Sequence, residues 1–454
     1  MKNVRYFLAC VALTAVALVG CSRFEENSFF EEGASQRLNQ FNKDLKDSLV
    51  AQSRDDKNGW VIQYFVGASC EGFNLFGRFY ENGKVLLAGN HRYLRDGRKD
   101  QYTEHTSFYE LLREEGPVLA FNTWNNILTV LVDPVSPQDA PANLIDDGEG
   151  LLGDQNLVFE GFKGKNLLFH GERNLAKVRL VPCDRSWEAY IKDTETTKKS
   201  ITNATITNYY VVSGTDTLFF KDLSSGNFTY CERIIDPLYK STINCVFTPQ
   251  GFYLQHRNEI AGTSFQEFRL TEDKSRLISE NDSVQVIAMW DNYIINERTA
   301  SWDFDQSLFT DVQKNLVQQI DAELKKAFNS TFDITSVGLG RGKNVASSIP
   351  APLITFSYSY KSGKKTLKAS FGLSVKIGIP SCGRIKIDIS PDDPIDSNLK
   401  NFIDRNTEKN AEGLVRQFAA TLSGTYDMKP NDYFLPTSVD CIPVGGGTAF
   451  KISN

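Results

Sequence analysis

The stretch that most narrows the fold runs from Trp60 to about Pro182, where short apolar runs alternate with tight-turn pairs. Phe73–Tyr80 and Lys84–Ala88 flank Asn82-Gly83, and an Asn-Gly pair supplies the positive-φ residues that a two-residue hairpin needs. Trp60–Phe65 precedes them. Thr106–Leu112, Val118–Thr123 and Ile127–Val132 follow, the last two joined through Asn125-Asn126, and then Leu157–Phe162, Asn166–Gly171 and Ala176–Val181. So many sequential short strands predict an antiparallel meander, closed as an up-and-down barrel or folded as a sandwich. Ahead of it, Leu38, Phe41, Leu45 and Leu49 recur every three or four residues, the spacing of one face of a helix, with Ser35 as its candidate cap.

A second β-rich segment spans about 186–302, with strand-like runs such as Tyr209–Val212, Thr217–Phe220, Phe228–Glu232, Thr242–Thr248 and Gly251–Gln255; Thr194–Ser200 reads as a polar break. From 303 the pattern changes. Phe309, Val312, Leu316, Ile320, Leu324 and Phe328 predict a long helix, strands follow, and Leu414, Val415, Phe418, Ala419 and Leu422 mark a last helix. The fold class is therefore a mostly β N-terminal two-thirds, a meander barrel or sandwich preceded by one helix, plus a C-terminal α+β domain. The expected units are 36–185, 186–302 and 303–454, with no internal repeat apparent.

The N-terminus predicts export. Lys2 and Arg5 precede an apolar run from Tyr6 that ends in Leu18-Val19-Gly20-Cys21, which matches a bacterial lipobox. A basic start and a short apolar core make a signal peptide (residues 1–20) rather than a permanent span. Cys21 is then the lipidated residue, carrying acyl chains of the palmitate type. Residues 21–35, with Glu25, Glu26, Glu31 and Glu32, read as an acidic tether. The expected location is the outer membrane, lipid-anchored and facing the cell surface, with the periplasmic face as the alternative. A net charge of −6 excludes a general nucleic-acid binder, which needs a basic surface to neutralise phosphate. Six cysteines remain beyond Cys10 and Cys21, and in an oxidising compartment they predict disulfides; Cys231 and Cys245, flanking an apparent hairpin, are the preferred pair.

Asn58-Gly59-Trp60, Gly72-Phe73, the run Gly116-Pro117-Val118-Leu119-Ala120-Phe121-Asn122-Thr123, and Gly150-Leu151-Leu152-Gly153-Asp154 together resemble a domain-of-unknown-function family of Bacteroidetes lipoproteins. Thr248-Pro249-Gln250-Gly251-Phe252-Tyr253-Leu254 is similar to its later part, so the resemblance covers roughly 36–300. Members are typically encoded near outer-membrane nutrient-import pairs, which implies a surface accessory role and an import complex as partner. The chain departs from the family pattern where a paired glycine is usual and Leu152-Gly153 stands.

Signatures with definite spacing are missing. His91, His105, His170 and His256 are scattered singly, no HExxH or CxxC occurs, and Gly67-Ala68-Ser69-Cys70-Glu71-Gly72 is not a nucleophile elbow. Gly338-Leu339-Gly340-Arg341-Gly342-Lys343-Asn344 lacks the first glycine and the Ser/Thr of a phosphate loop. Asp146, Asp147, Glu149 and Asp154 are candidate ligands for calcium, although their spacing is not that of a calcium loop; no other cofactor is expected. Asp388, Asp392, Asp393 and Asp396 form a second acidic set, with Asp396 or Ser397 as a helix cap. Trp124, beside a tight turn, is the candidate ligand contact. The expected function is non-enzymatic binding, with glycan capture as its form; the alternative is a carboxylate-dependent glycan hydrolase, whose acid pair has no short sequence signature.

Overall fold

The computed structural model describes residues 34–94, 102–113, 116–133, 150–296, 301–340, 352–406 and 410–454. Cys21 and the candidate ligands Asp146, Asp147 and Glu149 lie outside these residues.

The first unit opens with helix α1 (Ala34–Ala51), whose Leu45 and Leu49 are buried while Phe41 stays 53% exposed. Its strands are β1 (Trp60–Phe65), β2 (Phe73–Phe79), β3 (Lys84–Gly89), β4 (Thr103–Phe108), β5 (Glu110–Arg113), β6 (Pro117–Ala120), β7 (Asn156–Lys163), β8 (Asn166–Gly171) and β9 (Lys177–Pro182), with a short helix α2 (Thr129–Val132) between β6 and β7. They form one antiparallel sheet in the order β4-β3-β2-β1-β9-β8-β7-β6-β5. Only Tyr109 separates the two outer strands of that order, so β4 and β5 are halves of one bent strand and the meander returns on itself around its core. The expected strand at Ile127–Val132 does not form. Asn125 accepts from the Thr129 N–H (2.8 Å) and gives its own N–H to Thr129 Oγ1 (3.0 Å), which closes a helical turn there instead.

The second unit begins with α3 (Trp187–Ile201), capped by Ser186, and continues through β10 (Asn208–Ser213), β11 (Asp216–Lys221), β12 (Asn227–Cys231), β13 (Lys240–Phe247), β14 (Gly251–Ile260), β15 (Thr263–Leu270), β16 (Leu277–Ser279) and β17 (Gln285–Ala288). These eight strands close as a barrel, β10 pairing with β17. Thr194–Ser200, expected as a break, is the second half of α3. Trp187, Tyr190, Thr194 and Ile201 are buried at helical spacing, and polar residues occupy the other face.

The third unit contains α4 (Trp290–Asn296), β18 (Ser301–Phe304), α5 (Asp311–Ala327), β19 (Asp333–Gly340), β20 (Leu353–Ser362), β21 (Lys365–Ser374), β22 (Lys376–Ser381), β23 (Arg384–Asp388), α6 (Ser397–Arg405), α7 (Ala411–Ala420), β24 (Gly424–Pro430), β25 (Ser438–Pro443) and β26 (Phe450–Ser453). Thr310 and Gln313 build a capping box at the start of α5, and Asp396 caps α6 through the Leu399 N–H (2.7 Å). The strand order β21-β20-β19-β18-β26-β25-β24-β23-β22 repeats that of the first sheet position for position, again with a single residue, Val375, between the outermost pair. Three antiparallel meanders thus follow one another, each preceded by a helix; the third is α+β because α5, α6 and α7 pack on its sheet.

The first and second units are locked together. Every residue of β1 is buried: Trp60, Ile62 and Tyr64 face the first core, Val61 packs with Trp187 and Tyr190 of α3, and Phe65 packs with Val246 and Tyr253 of the second barrel. The Gly72 N–H donates to Cys245 O (3.0 Å), Asn74 Nδ2 to Phe247 O (2.8 Å) and Asn227 Nδ2 to Ser69 Oγ (3.0 Å). Strand β1 is therefore apolar at every position but Gln63, because both of its faces are covered.

No disulfide links Cys231 and Cys245. Cys70, Cys183, Cys231, Cys245, Cys382 and Cys441 are free thiols. Lys240 stands opposite Cys231, and Cys245 lies five positions further along β13, about 16 Å away at strand rise. A disulfide needs Cα atoms within about 7 Å, so the hairpin register forbids the expected bond.

Candidate functional site

The segment after β6 is strapped along β4 by side-chain hydrogen bonds. Asn125, 1% exposed, donates through Nδ2 to Ser107 Oγ (2.9 Å) and His105 O (3.2 Å) and accepts the Ile127 N–H (3.0 Å). The Asn126 N–H donates to His105 Nδ1 (2.9 Å), and the Phe108 N–H to Thr123 Oγ1 (2.9 Å). This strapping carries Trp124 and Phe108 to neighbouring backbone positions with their rings 51% and 48% exposed. Trp124 Nε1 donates to Asn126 Oδ1 (2.6 Å), which fixes the ring, and Asn122 Nδ2 donates to Glu110 Oε2 (2.8 Å) close by. Two aromatic surfaces in solvent, one of them oriented, beside a paired amide and carboxylate suit a flat ligand with one apolar face and a polar edge.

Asp154 does different work from the one its acidic neighbours suggest. It is 4% exposed, and its carboxylate accepts the N–H groups of Arg173 (3.0 Å), Asn174 (3.0 Å) and Ala176 (3.2 Å), organising the turn between β8 and β9. Tyr64 Oη donates to Asp154 O (2.7 Å) and accepts its N–H (2.6 Å). Its oxygens are thus spent on backbone donors. Among the described residues no group of three or more His, Cys, Asp or Glu side chains is placed to hold a metal ion. The residues before it show why glycine matters here: Gly153 donates to Leu131 O (2.9 Å), so close that an added Cβ would collide with that oxygen. Leu152, where the resemblance leads one to expect glycine, holds φ at +57°, a left-handed conformation that costs a branched side chain about 1 kcal/mol.

A cleft of about 250 Å³ between the first sheet and the second unit's barrel is lined by Phe65, Glu160, Lys177, Arg179, Tyr253 and His256 among others. Partial burial would lift the Glu160 carboxyl, but bonds from Lys177 Nζ (3.0 Å) and His170 Nδ1 (3.0 Å) outweigh it and hold the group below the usual glutamate range. Arg179 lies 3.8 Å over the Tyr253 ring and donates twice to Glu267 (2.9 and 3.2 Å), bracing the first sheet against the barrel. A glycosidase needs one carboxyl kept protonated near neutrality beside one that is ionised. Among the described residues the carboxyls raised by burial are Asp291 and Asp396, which face backbone N–H groups of Gly383 and Leu399 in the third unit rather than this cleft.

A family model described as "Domain of unknown function (DUF4302)" matches residues 26–272, which contain the whole first unit and most of the second barrel. The chain belongs to this family. Family DUF4302 so defined takes in the Trp124 strip, the Asp154 turn and the cleft between the first sheet and the barrel, and its description assigns no activity to any of them. No curated protein matches the chain. Among solved structures it is similar to a DNA polymerase sliding clamp from Pseudomonas aeruginosa at 6% identity, over 92% of this chain and 96% of that one, with a TM-score of 0.12. The DNA polymerase III β subunit of the same organism (7% identity, 92% and 97% covered, TM-score 0.11) and the C. crescentus β sliding clamp (7%, 91% and 96%, 0.11) are comparable. TM-scores at this level carry neither fold nor function to the DUF4302 chain.

Proposed function

We propose that the protein is a bacterial outer-membrane lipoprotein, anchored through Cys21, whose first unit captures glycans on the Trp124–Phe108 strip without cleaving them, as an accessory to nutrient import at the cell surface. The observation that carries this reading is the half-exposed Trp124 ring, fixed by its bond to Asn126, with Phe108 exposed on the strand that bonds the preceding residue, Thr123. A large apolar surface held in solvent by polar bonds has paid its ordering entropy before any ligand arrives. The ionised state of Glu160 and the remote, backbone-bound positions of Asp291 and Asp396 favour binding over hydrolysis.

A panel of soluble polysaccharides, assayed in parallel for binding and for reducing-end release, tests the proposal. Trp124→Ala should weaken the tightest glycan by about tenfold, the scale of one lost aromatic stack. Release of product that Glu160→Gln abolishes would replace capture with hydrolysis, and binding indifferent to Trp124→Ala would remove the strip as the site.

The anchor has its own test. Cys21→Ala should abolish incorporation of labelled fatty acid and move the protein out of the detergent phase; unchanged labelling would remove Cys21 as the attachment point.

A further inference from the structure

The connection between β12 and β13 exposes apolar side chains more fully than any other described part of the chain. Leu238 is 87% exposed, Ile235 84% and Tyr239 57%. Such a tip would ordinarily fold back onto its barrel, since apolar side chains are stabilised by leaving water. It is held out. The Glu232 carboxylate accepts the backbone N–H groups of Leu238 and Tyr239 (2.8 Å to Tyr239), Asp236 sits at φ +51°, and Cys231 pairs with Lys240 to close the base.

We infer that this loop is a membrane-contacting tip that inserts Ile235, Leu238 and Tyr239 into the headgroup boundary of the bilayer to which the chain is tethered. The occupant follows from chain length and chemistry. Only 12 residues separate Cys21 from Ala34, a reach of at most about 45 Å, so an anchored chain keeps its folded units close to the bilayer surface. That argument rests on the lipid anchor proposed above; the exposure and the clamp do not. A tyrosine beside two branched aliphatics, with Arg233 and Lys240 able to extend their amphipathic stems toward headgroups, is the composition of an interfacial contact. Glu232, Arg233, Asp236 and Lys240 leave the loop with no net charge, so apolar contact drives the insertion and anionic lipid adds little.

The test uses the chain from Ser22, which keeps every described residue but has neither leader nor acyl chain, in sedimentation with protein-free vesicles. Phosphatidylcholine vesicles with and without phosphatidylglycerol should bind it to a similar extent. Ile235→Ser with Leu238→Ser should lower partitioning by about tenfold or more. Leu175→Ser, which removes a leucine 66% exposed on the first unit, should leave it unchanged. Failure of the wild-type chain to bind either vesicle, or an equal loss with Leu175→Ser, overturns the inference. Binding confined to native outer-membrane fragments would overturn it in favour of a protein partner. Because no acyl chain is present, none of these outcomes depends on whether Cys21 is lipidated.

Discussion

Acidification from neutral pH to about pH 4 should cost the first unit about 3 kcal/mol through one side chain, His91. The ring is buried in the first core, edge-on to Phe73 at 5.5 Å, with Nε2 3.0 Å from Ile127 O and Nδ1 without a partner. Burial drives its pKa from 6.5 down to about 4, and the bond to the Ile127 carbonyl only partly opposes this. The folded state therefore binds fewer protons than the unfolded chain wherever the pH lies between these values. The contribution is fully present above 6.5 and is lost progressively as pH falls to about 4. The gap of about 2.5 units, at about 1.4 kcal/mol per unit, sets the magnitude. His91→Gln keeps a donor for Ile127 O and cannot titrate, so the difference between its urea midpoint and that of the wild type should shrink or reverse across this window. Parallel pH profiles for the two proteins would reject the assignment. Comparison by difference matters, because Glu160 and Glu323, held below the usual glutamate range, lose their contributions at still lower pH, whereas Asp291 and Asp396, held above the usual aspartate range, gain as the pH falls.

What was legible in the sequence was local. Alternation, the Asn82-Gly83 turn and the three-four spacing of Leu316, Ile320 and Leu324 specify elements directly, because backbone period and side-chain burial are coupled within a few residues. Partners between distant strands are not encoded that way. The pairing of Cys231 with Lys240 is set by the length of the intervening loop, so two cysteines at the apparent ends of a hairpin lie far apart along it. The common strand order of the first and third units was hidden for the same reason. The pairing that unites each order, β1 with β9 and β18 with β26, runs between strands far apart in sequence, while α5, α6 and α7 give the third unit a helical signature that the first lacks. At the candidate site, Trp124 was readable as exposed from its turn-like neighbours, but Phe108 was not. It sits in a strand-like run, and only the bond from its N–H to Thr123 brings it beside Trp124. Sequence proximity groups Asp154 with the acidic residues before it in the chain, whereas its function is decided by the turn at 173–176.

Replacing Asp154 with alanine should destabilise the first unit by about 3 kcal/mol or more, in the absence as in the presence of calcium. The substitution leaves the N–H groups of Arg173, Asn174 and Ala176 without acceptors, and an unsatisfied buried donor costs about 1–3 kcal/mol. The first two are partly solvent-accessible, which limits their share; the Ala176 bond is buried and bears the full cost. Gly171 donates to Ala176 O (2.7 Å) within the same turn, and its missing side chain is what lets the Asp154 carboxylate approach, so the turn has no substitute packing to fall back on. Asp154→Asn retains one acceptor oxygen but points an NH₂ at neighbouring donors, and an intermediate loss of about 1–2 kcal/mol is expected. Denaturant titrations of the three proteins, each with added calcium and with a chelator, separate the two roles that this carboxylate has been assigned. A backbone organiser gives the same ranking and the same losses in both conditions, because its acceptors are filled by N–H groups whatever ion is present. A metal ligand gives a loss that appears only with calcium, and that pattern would return Asp154 to the acidic loop that precedes it.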